Sequence, residues 1–433
     1  MDTTQDISKR DQISQVYRYV TIQRDENDNA KDILINNAFL GFVETVDTSA
    51  RELQKKILDS IESNGFHLSK CRGQGYDGAA NMSGVYSELS EHGKVTMKRL
   101  CPTRWCSRHD AIAALRYRYV DIMKALTKIA LVSEKREERD EATALKNHME
   151  KFSFIFLVVQ QTKILENMNA VSKMLQAKDV DIHKAVGVLQ NTIQVLSAYR
   201  DDFDQVKRTA QNLAERWGAQ SEFTEISKRR MKRHFDELSQ DERLSDGESR
   251  FRINVFNANL DIINSQLSQR FTSMRETNKL FQAIHPGTLN RAQDNALHQH
   301  AQRLSDHYSR DLSPSFPVQL LAFRACFKTE IAKEPSVKDM TKMLIVDHSS
   351  MAATFSEVCT ALLLYLTIPV TVATAERSFS KLKLIKTYLR SSMGQERLSG
   401  LATLSIENSR ARKLDLSSVV DDFAERKARK INF

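Results

Sequence analysis

Residues that interrupt helices are missing over long distances. No proline occurs between Pro102 and Pro286, and no glycine between Gly93 and Gly187. That absence argues against a β-rich, turn-punctuated middle and favours uninterrupted helices. Cysteine is scarce too: five in 433 residues, with no CxxC pair. This excludes a disulfide framework and fits a reducing compartment. Long apolar runs are also lacking. The longest, residues 152–159, carries Ser153 and falls far short of the ~20 residues a spanning helix needs. Residues 1–20 are polar and charged, unlike a secretory leader. The expectation is an intracellular soluble protein with no membrane partner.

What is present is unevenly distributed. Of the thirteen glycines, six fall between Gly65 and Gly93. Four of them lie in the stretch CRGQGYDGAANMSG, residues 71–84, around a single acid, Asp77. Clustered glycine marks tight turns or close backbone approach. The order of apolar run, glycines, acid and Ala-Ala-Asn-Met reads as a strand, a turn and a helix start. Asp77 then either sits at a sheet edge, where open α/β sheets bind ligands, or caps the following helix. The net charge is +9, but acidic and basic residues are interspersed. Charge alone therefore does not separate a nucleic-acid binder from a solvated helical protein.

The N-terminal part reads as mixed α/β. Residues 15–22 (QVYRYVTI) and 38–46 (AFLGFVETV) are β-branched and aromatic, separated by the polar RDENDNAKD, a hairpin pattern. In the second run Leu40, Phe42 and Val46 share one side. A helix is predicted from Ser49-Ala-Arg-Glu52, a capping-box spacing, with Leu53, Ile57 and Ile61 on one face and Asn64-Gly65 as its stop. A third strand is predicted over His67 to Cys71. Beyond Gly93 three apolar stripes repeat at helical spacing: Ile164, Met168, Val171, Leu175; Ile182, Val186, Leu189, Ile193, Leu196; and Ile253, Phe256, Leu260, Ile263, Leu267. A helical array is expected from about 107 to 350, broken by a charged loop near Ser239 to Ser249. Inside it, Lys228, Arg229 and Arg230 begin the densest basic cluster, KRRMKRH. Such a cluster suits phosphate contacts, a nuclear address or a solvated helix face. In the C-terminal segment Ala375, Phe379, Leu382 and Leu389 lie near one helical face, with Glu376 at its border.

Two of these segments resemble a known family. Residues 71–84 and residues 367–408 (TIPVTVATAERSFSKLKLIKTYLRSSMGQERLSGLATLSIEN) are similar to the hAT superfamily of DNA transposases, in the branch of MYM-type zinc-finger-like proteins. The first matches that branch's glycine-rich second-acid motif, and the second the C-terminal dimerisation region, marked by Glu-Arg-x-Phe-Ser. The start Asp2-Thr-Thr-Gln-Asp-Ile-Ser and the triplet Thr103-Arg104-Trp105 also fit. The resemblance implies an α/β plus mostly α chain: a truncated RNase H-like core over 1–100, a helical insertion over 101–350, a helical dimerisation region over 351–410 and a basic tail over 411–433.

It also implies Mg²⁺ held by Asp2, Asp77 and Glu376 for phosphodiester transfer. Arg104 and Trp105 would support a flipped base or hairpin at a transposon end, unless Trp105 is simply core. Lys228, Arg229 and Arg230 would contact DNA, and the nucleus would be the compartment. Phe379, Leu382, Leu398, Leu401 and Leu404 would bury against a second copy, giving a homodimer or higher homo-oligomer, or against the catalytic core. Three departures from the family pattern stand out, and the first two argue against catalysis. The first strand would be missing, since the chain starts one residue before Asp2. The Cys-x-x-His-x-Leu-Asn segment of the family is absent between Gly84 and Cys101. No zinc-finger module is expected ahead of residue 1, so terminal-repeat recognition would not be encoded here, and Cys101, Cys106 and His109 do not have the spacing of a zinc site. The expectation is a transposase-derived, catalytically degenerate protein with protein-dimerisation activity. The alternatives are an active Mg²⁺-dependent transposase or nuclease and a non-catalytic DNA- or chromatin-binding protein.

Overall fold

The computed structural model describes residues 2–45, 50–74, 105–177, 180–223, 247–370 and 373–425. The chain divides into two units, one of Met1–Gly78 with Gln282–Phe433 and one of Ala79–Phe281. The second unit therefore interrupts the first in sequence.

The first unit begins with an antiparallel sheet of order β1-β2-β3, built from β1 (Asp2–Gln5), β2 (Asp11–Arg24) and β3 (Ala30–Thr45). The predicted hairpin is there and is longer than its apolar runs. At its tip, the Asp25 carboxylate accepts the backbone N–H groups of Asn27 and Asn29 at 2.9 and 2.8 Å, and Asp28 takes the left-handed φ of 62° that Asp tolerates in turns. The first strand, expected to be missing, is present: Asp2 through Gln5 pair with Ser14 through Asp11. The predicted alternation of β3 fails at one place. Gln15 pairs with Gly41 and Val16 with Phe39, so Leu40 is an extra, bulged residue. A bulge shifts the side-chain alternation by one, which places Phe39 and Phe42, both buried, opposite Val16 and Ser14.

Helix α1 (Ala50–Ser63) follows and covers one face of the sheet. Ser60 Oγ donates to Gln15 Oε1 at 2.6 Å, and Phe66 stacks on Tyr17 at 5.0 Å. The strand predicted over 67–71 is instead a 3₁₀ turn, Leu68–Lys70, with no buried residue. Its one large apolar side chain, Leu68, is exposed, so no apolar face holds the segment against the sheet.

The second unit is wholly helical among its described residues: α2 (Trp105–Val132), α3 (Arg136–Met149), α4 (Phe152–Leu175), α5 (Ile182–Ala198), α6 (Phe203–Trp217), α7 (Gly247–Phe251), α8 (Ala258–Arg270) and α9 (Thr272–Leu280). Its core is aromatic: Phe152, Phe156, Phe203, Phe251 and Phe256 pack with the stripe residues Ile164, Met168, Leu196, Leu260 and Leu267. Two of the predicted stripes face this unit's interior. The third fails at Ile253, which is exposed while Phe256 and Leu260 are buried. The cause is a π-helical turn over Arg252–Asn257; its wider turn carries Ile253 off the stripe. Tyr119 lies flat on Trp217, 3.9 Å between ring centroids, and donates to the Met149 carbonyl at 3.1 Å. Burial pushes the Tyr119 hydroxyl up to about 12.

The chain then returns to the first unit through α10 (Pro286–Arg291), α11 (Asp294–His307), α12 (Phe316–Ile331), α13 (Val337–Lys342), α14 (Ser349–Ala352) and α15 (Ser356–Thr367). Next come α16 (Ala373–Ile385), α17 (Gln395–Ile406), α18 (Asn408–Ala411) and α19 (Ser417–Glu425). The helical insertion was expected to run to 350. Its boundary instead falls at Phe281/Gln282, because the later helices pack with the sheet; Lys342, for example, pairs with Asp32 of β3 at 3.5 Å. No helix among the described residues is long and apolar enough to cross a membrane.

Candidate functional site

Helices α16 and α17 pack on the sheet face opposite α1. Alternation along β2 dictates this: Gln15 and Tyr17 face α1, so Gln12, Ser14, Val16 and Arg18 face the other way. There Phe39, Phe42, Phe379, Leu382, Leu398 and Ala402 form one buried cluster, with Phe42 stacked on Phe379 at 5.8 Å. Polar bonds surround it. Ser14 and Ser378 hydroxyls meet at 2.6 Å. Arg18 Nε donates to the Leu366 carbonyl at 3.1 Å, and burial lowers its pKa.

Among the described residues, the outer edge of β3 is closed by side chains of α17 and by Glu407 just beyond it. Gln395 Nε2 and Ser399 Oγ both donate to the Phe42 carbonyl, at 2.7 and 2.9 Å. The Phe39 N–H donates to Glu407 Oε1 at 2.8 Å. An open edge would offer these groups to any passing strand; here they are occupied.

At the end of α16 an ion pair is buried. Lys386 Nζ lies 2.6 Å from Asp6 Oδ2, with side-chain exposures of 4% and 1%. Asp6 also accepts the Ser8 and Arg10 backbone N–H groups at 2.7 and 3.2 Å and Gln12 Nε2 at 3.1 Å. Burial pushes the Asp6 carboxyl up, but the bonds from Lys386, Arg10, Ser8 and Gln12 outweigh it and hold it below the usual carboxylate range. Asp6 thus ties the β1–β2 turn to the C-terminal helices. The sequence carried a signal for this pair: Lys386 follows Leu382 by four residues on the apolar stripe, where a lone cation needs a partner.

The segments that carry the three expected carboxylates are partly described. Asp2 is the first residue of β1 and pairs with Ser14, whose hydroxyl meets Ser378, two residues beyond Glu376 in α16. Residues 71–74, which lead to Asp77, are anchored by Arg72. Its guanidinium grips Asp311 with two contacts, Nη2 to Oδ1 at 2.6 Å and Nε to Oδ2 at 2.5 Å. A Cβ on Gly73 would come within 3.2 Å of Pro369, in the segment that runs into α16. The strand around Asp2, the approach to Asp77 and the approach to Glu376 thus all belong to the sheet-containing unit. The side chains of Asp2 and Glu376, and all of Asp77, Arg104, Lys228, Arg229 and Arg230, lie outside the described residues. Trp105 opens α2, and its side chain is likewise outside them. Among the described residues no group of three His, Cys, Asp or Glu side chains could hold a metal ion.

Of the five residues expected at a dimer interface, Phe379, Leu382 and Leu398 are buried against this chain's own sheet. Leu401 is partly covered, and Leu404 is 59% exposed. Leu389, expected on the buried stripe, is 92% exposed, because α16 stops at Ile385. Sequence reasoning also missed Leu384 and Tyr388, exposed at 71% and 81%.

Comparison with known families fits this geometry. Residues 1–88 match the ZMYM1/FAM200 RNase-like domain, and residues 332–409 match the hAT family C-terminal dimerisation region. An RNase-like domain joined to that region defines a protein built on a DNA-transposase plan. The two matched regions are those of the hAT transposase superfamily: a ZMYM1-like N-terminal domain and a hAT C-terminal dimerisation region.

Proposed function

We propose that this chain is a transposase-derived protein whose retained activity is self-association through its C-terminal helices, without phosphodiester transfer. One observation carries the reading. Within the dimerisation region, α16 and α17 spend Phe379, Leu382 and Leu398 on their own sheet, yet Leu384, Tyr388, Leu389 and Leu404 stay exposed. Several large apolar side chains exposed in one region mark an interaction surface. Lost catalysis is supported by the interval between Gly84 and Cys101, which lacks the family's Cys-x-x-His-x-Leu-Asn segment. The test is sedimentation of the full chain from 0.1 to 50 μM. A concentration-dependent shift from one to two copies is expected, and a monomer throughout would overturn the reading.

A second reading, an active Mg²⁺-dependent transposase or nuclease, draws on Asp2 pairing with Ser14 and so lying close in backbone to the helix of Glu376. Carboxylates brought together there could hold the metal ions of in-line phosphoryl transfer. It requires strand cleavage or joining with Mg²⁺ that disappears in Asp77→Ala and Glu376→Ala. A full chain inert on duplex and hairpin DNA removes it. Binding of DNA without cleavage, weakening steeply with salt as phosphate contacts release counterions, would instead support a nuclear DNA-binding role for Arg104, Trp105 and Lys228 to Arg230.

A further inference from the structure

Arg18 is a half-buried cation whose one bond goes to a neutral group. It stands in the middle of β2 on the face that meets the C-terminal helices, and its Nε donates to the Leu366 carbonyl at 3.1 Å. That bond uses one of the five N–H groups of a guanidinium. Among the described residues no carboxylate pairs with Arg18, and nothing accepts from its Nη1 or Nη2. Gln12, Ser14, Val16 and Val20 share its face of β2 and Asn37 is its partner on β3; none of them is acidic. Glu407, on the nearby edge of β3, already takes the Phe39 N–H at 2.8 Å and pairs with Arg410 at 3.6 Å. Burial lowers the pKa of the Arg18 guanidinium, and no carboxylate is there to oppose that shift. A cation drawn out of water without a counter-charge costs free energy, which an arriving anion would offset.

We propose that Arg18 holds a phosphate group through Nη1 and Nη2, with the Leu366 carbonyl fixing the guanidinium through Nε. Capping accounts for only part of the arrangement. Leu366 lies in the last turn of α15, where carbonyls lack helical partners and a cation is favoured. One carbonyl needs one N–H, however, and a lysine would supply it. What the guanidinium adds is a planar pair of nitrogens spaced for two oxygens of one phosphate. Neither nitrogen is fully enclosed, so an incoming group can reach them. The end of α15 is also where the glycine-rich segment approaches: a Cβ on Gly73 would lie 3.2 Å from Pro369 Cδ and 3.9 Å from Ile368 Cα, two residues past Leu366. Ser14, the partner of Asp2, is four residues back along the same face, roughly 13 Å at the rise of a strand. The phosphate would thus sit on the sheet face shared with the Asp2 and Glu376 segments. It requires neither catalysis nor a second copy. A nucleic-acid backbone and a free polyphosphate present the same oxygens, so the two sources are separated by experiment.

The full chain is titrated with inorganic pyrophosphate and, separately, with single-stranded and duplex DNA of about 20 nucleotides. Wild type is compared with Arg18→Lys, which keeps the charge and a donor for Leu366 but loses the paired nitrogens. Arg24→Gln, at the exposed hairpin tip where Arg24 meets Asp28, is the control for loss of one positive charge. Arg18→Lys should bind at least about tenfold more weakly with its melting temperature unchanged, and Arg24→Gln should bind as wild type does. Binding of pyrophosphate, with a melting temperature that rises with its concentration, identifies a free polyphosphate as the source; binding of DNA alone identifies the backbone. A second measurement needs no variant. An arginine-selective dicarbonyl should modify Arg18 in the free protein, and the bound ligand should protect it, as read by mass spectrometry. Wild-type protein that binds neither ligand, undiminished binding by Arg18→Lys, or Arg18 modified equally with and without ligand overturns the proposal. Undiminished binding with a lowered melting temperature would make Arg18 a cap of α15 and nothing more. Self-association is read separately by sedimentation, so a monomer that binds phosphate through Arg18 overturns that reading and leaves this one standing.

Discussion

The chain holds together in two different ways. The helical unit packs rings: Phe156 alone meets Phe152, Phe203, Phe223, Phe251 and Phe256. The contact between sheet and C-terminal helices has a small apolar cluster framed by polar bonds: Asp6 with Lys386, Gln12 with Gln395, Ser14 with Ser378, and Gln395 and Ser399 on the Phe42 carbonyl. Ring packing is strong but tolerates many arrangements of similar volume. A buried polar network tolerates one, since each group left unpaired costs free energy. The first kind of contact stabilises; the second also fixes which helix residue meets which strand residue. That precision lies where residues from the two ends of the sequence must meet in one unit.

Removing the central ring of the helical unit should have the largest effect. Phe156→Ala deletes a fully buried side chain and should destabilise that unit by about 3–5 kcal/mol, read by urea denaturation. Phe156→Leu, which keeps most of the volume, should cost about 1–2 kcal/mol. Next comes the ion pair. Lys386→Met leaves Asp6 buried without its cation and should cost about 3 kcal/mol, whereas Lys386→Met with Asp6→Asn should recover much of that loss, because no buried charge is left unpaired. If the double variant is no better than the single one, Asp6 and Lys386 are not coupled. Ser399→Ala removes one of two donors to the Phe42 carbonyl and should cost about 1 kcal/mol.

The two units also differ in how readily the sequence discloses them. Helical periodicity revealed the stripes of α4 and α5 because aliphatic residues at that spacing have one use. It failed at Ile253, since a π-helical turn leaves no compositional mark. The hairpin was legible from its β-branched runs and polar tip, but the bulge at Leu40, which sends Phe39 and Phe42 to one face, was not. The glycine-rich motif and Glu-Arg-x-Phe-Ser disclosed the family without disclosing contacts. Phe379, Leu382 and Leu398 read equally well as the interface to a partner or to the chain's own sheet, because burial looks the same in sequence whichever surface supplies it. Lys386 went unread, although its place four residues after Leu382 could have announced a partner; which acid it was could be seen only after folding brought Asp6 across 380 residues.

The smallest expected effect separates the two kinds of contact by pH. The Asp6 carboxyl is held below its ordinary value in the folded chain, so the folded state binds its proton less readily than the unfolded one. Its stabilisation is therefore complete above the unfolded value, near pH 3.9 for an aspartate, and is lost as pH falls through the lower folded value. The aromatic core of the helical unit contains no titrating carboxylate among its residues and should contribute nothing to that slope. Asp6→Asn should accordingly flatten the acid limb of stability for the sheet-containing unit, while Phe156→Leu should lower stability by the same amount at pH 3 and pH 7. Urea denaturation of wild type and both variants across pH 2.5–7 reads the difference. An acid limb unchanged in Asp6→Asn would show that the ion pair does not couple protonation to folding, and would reduce the contrast between the units to one of packing alone.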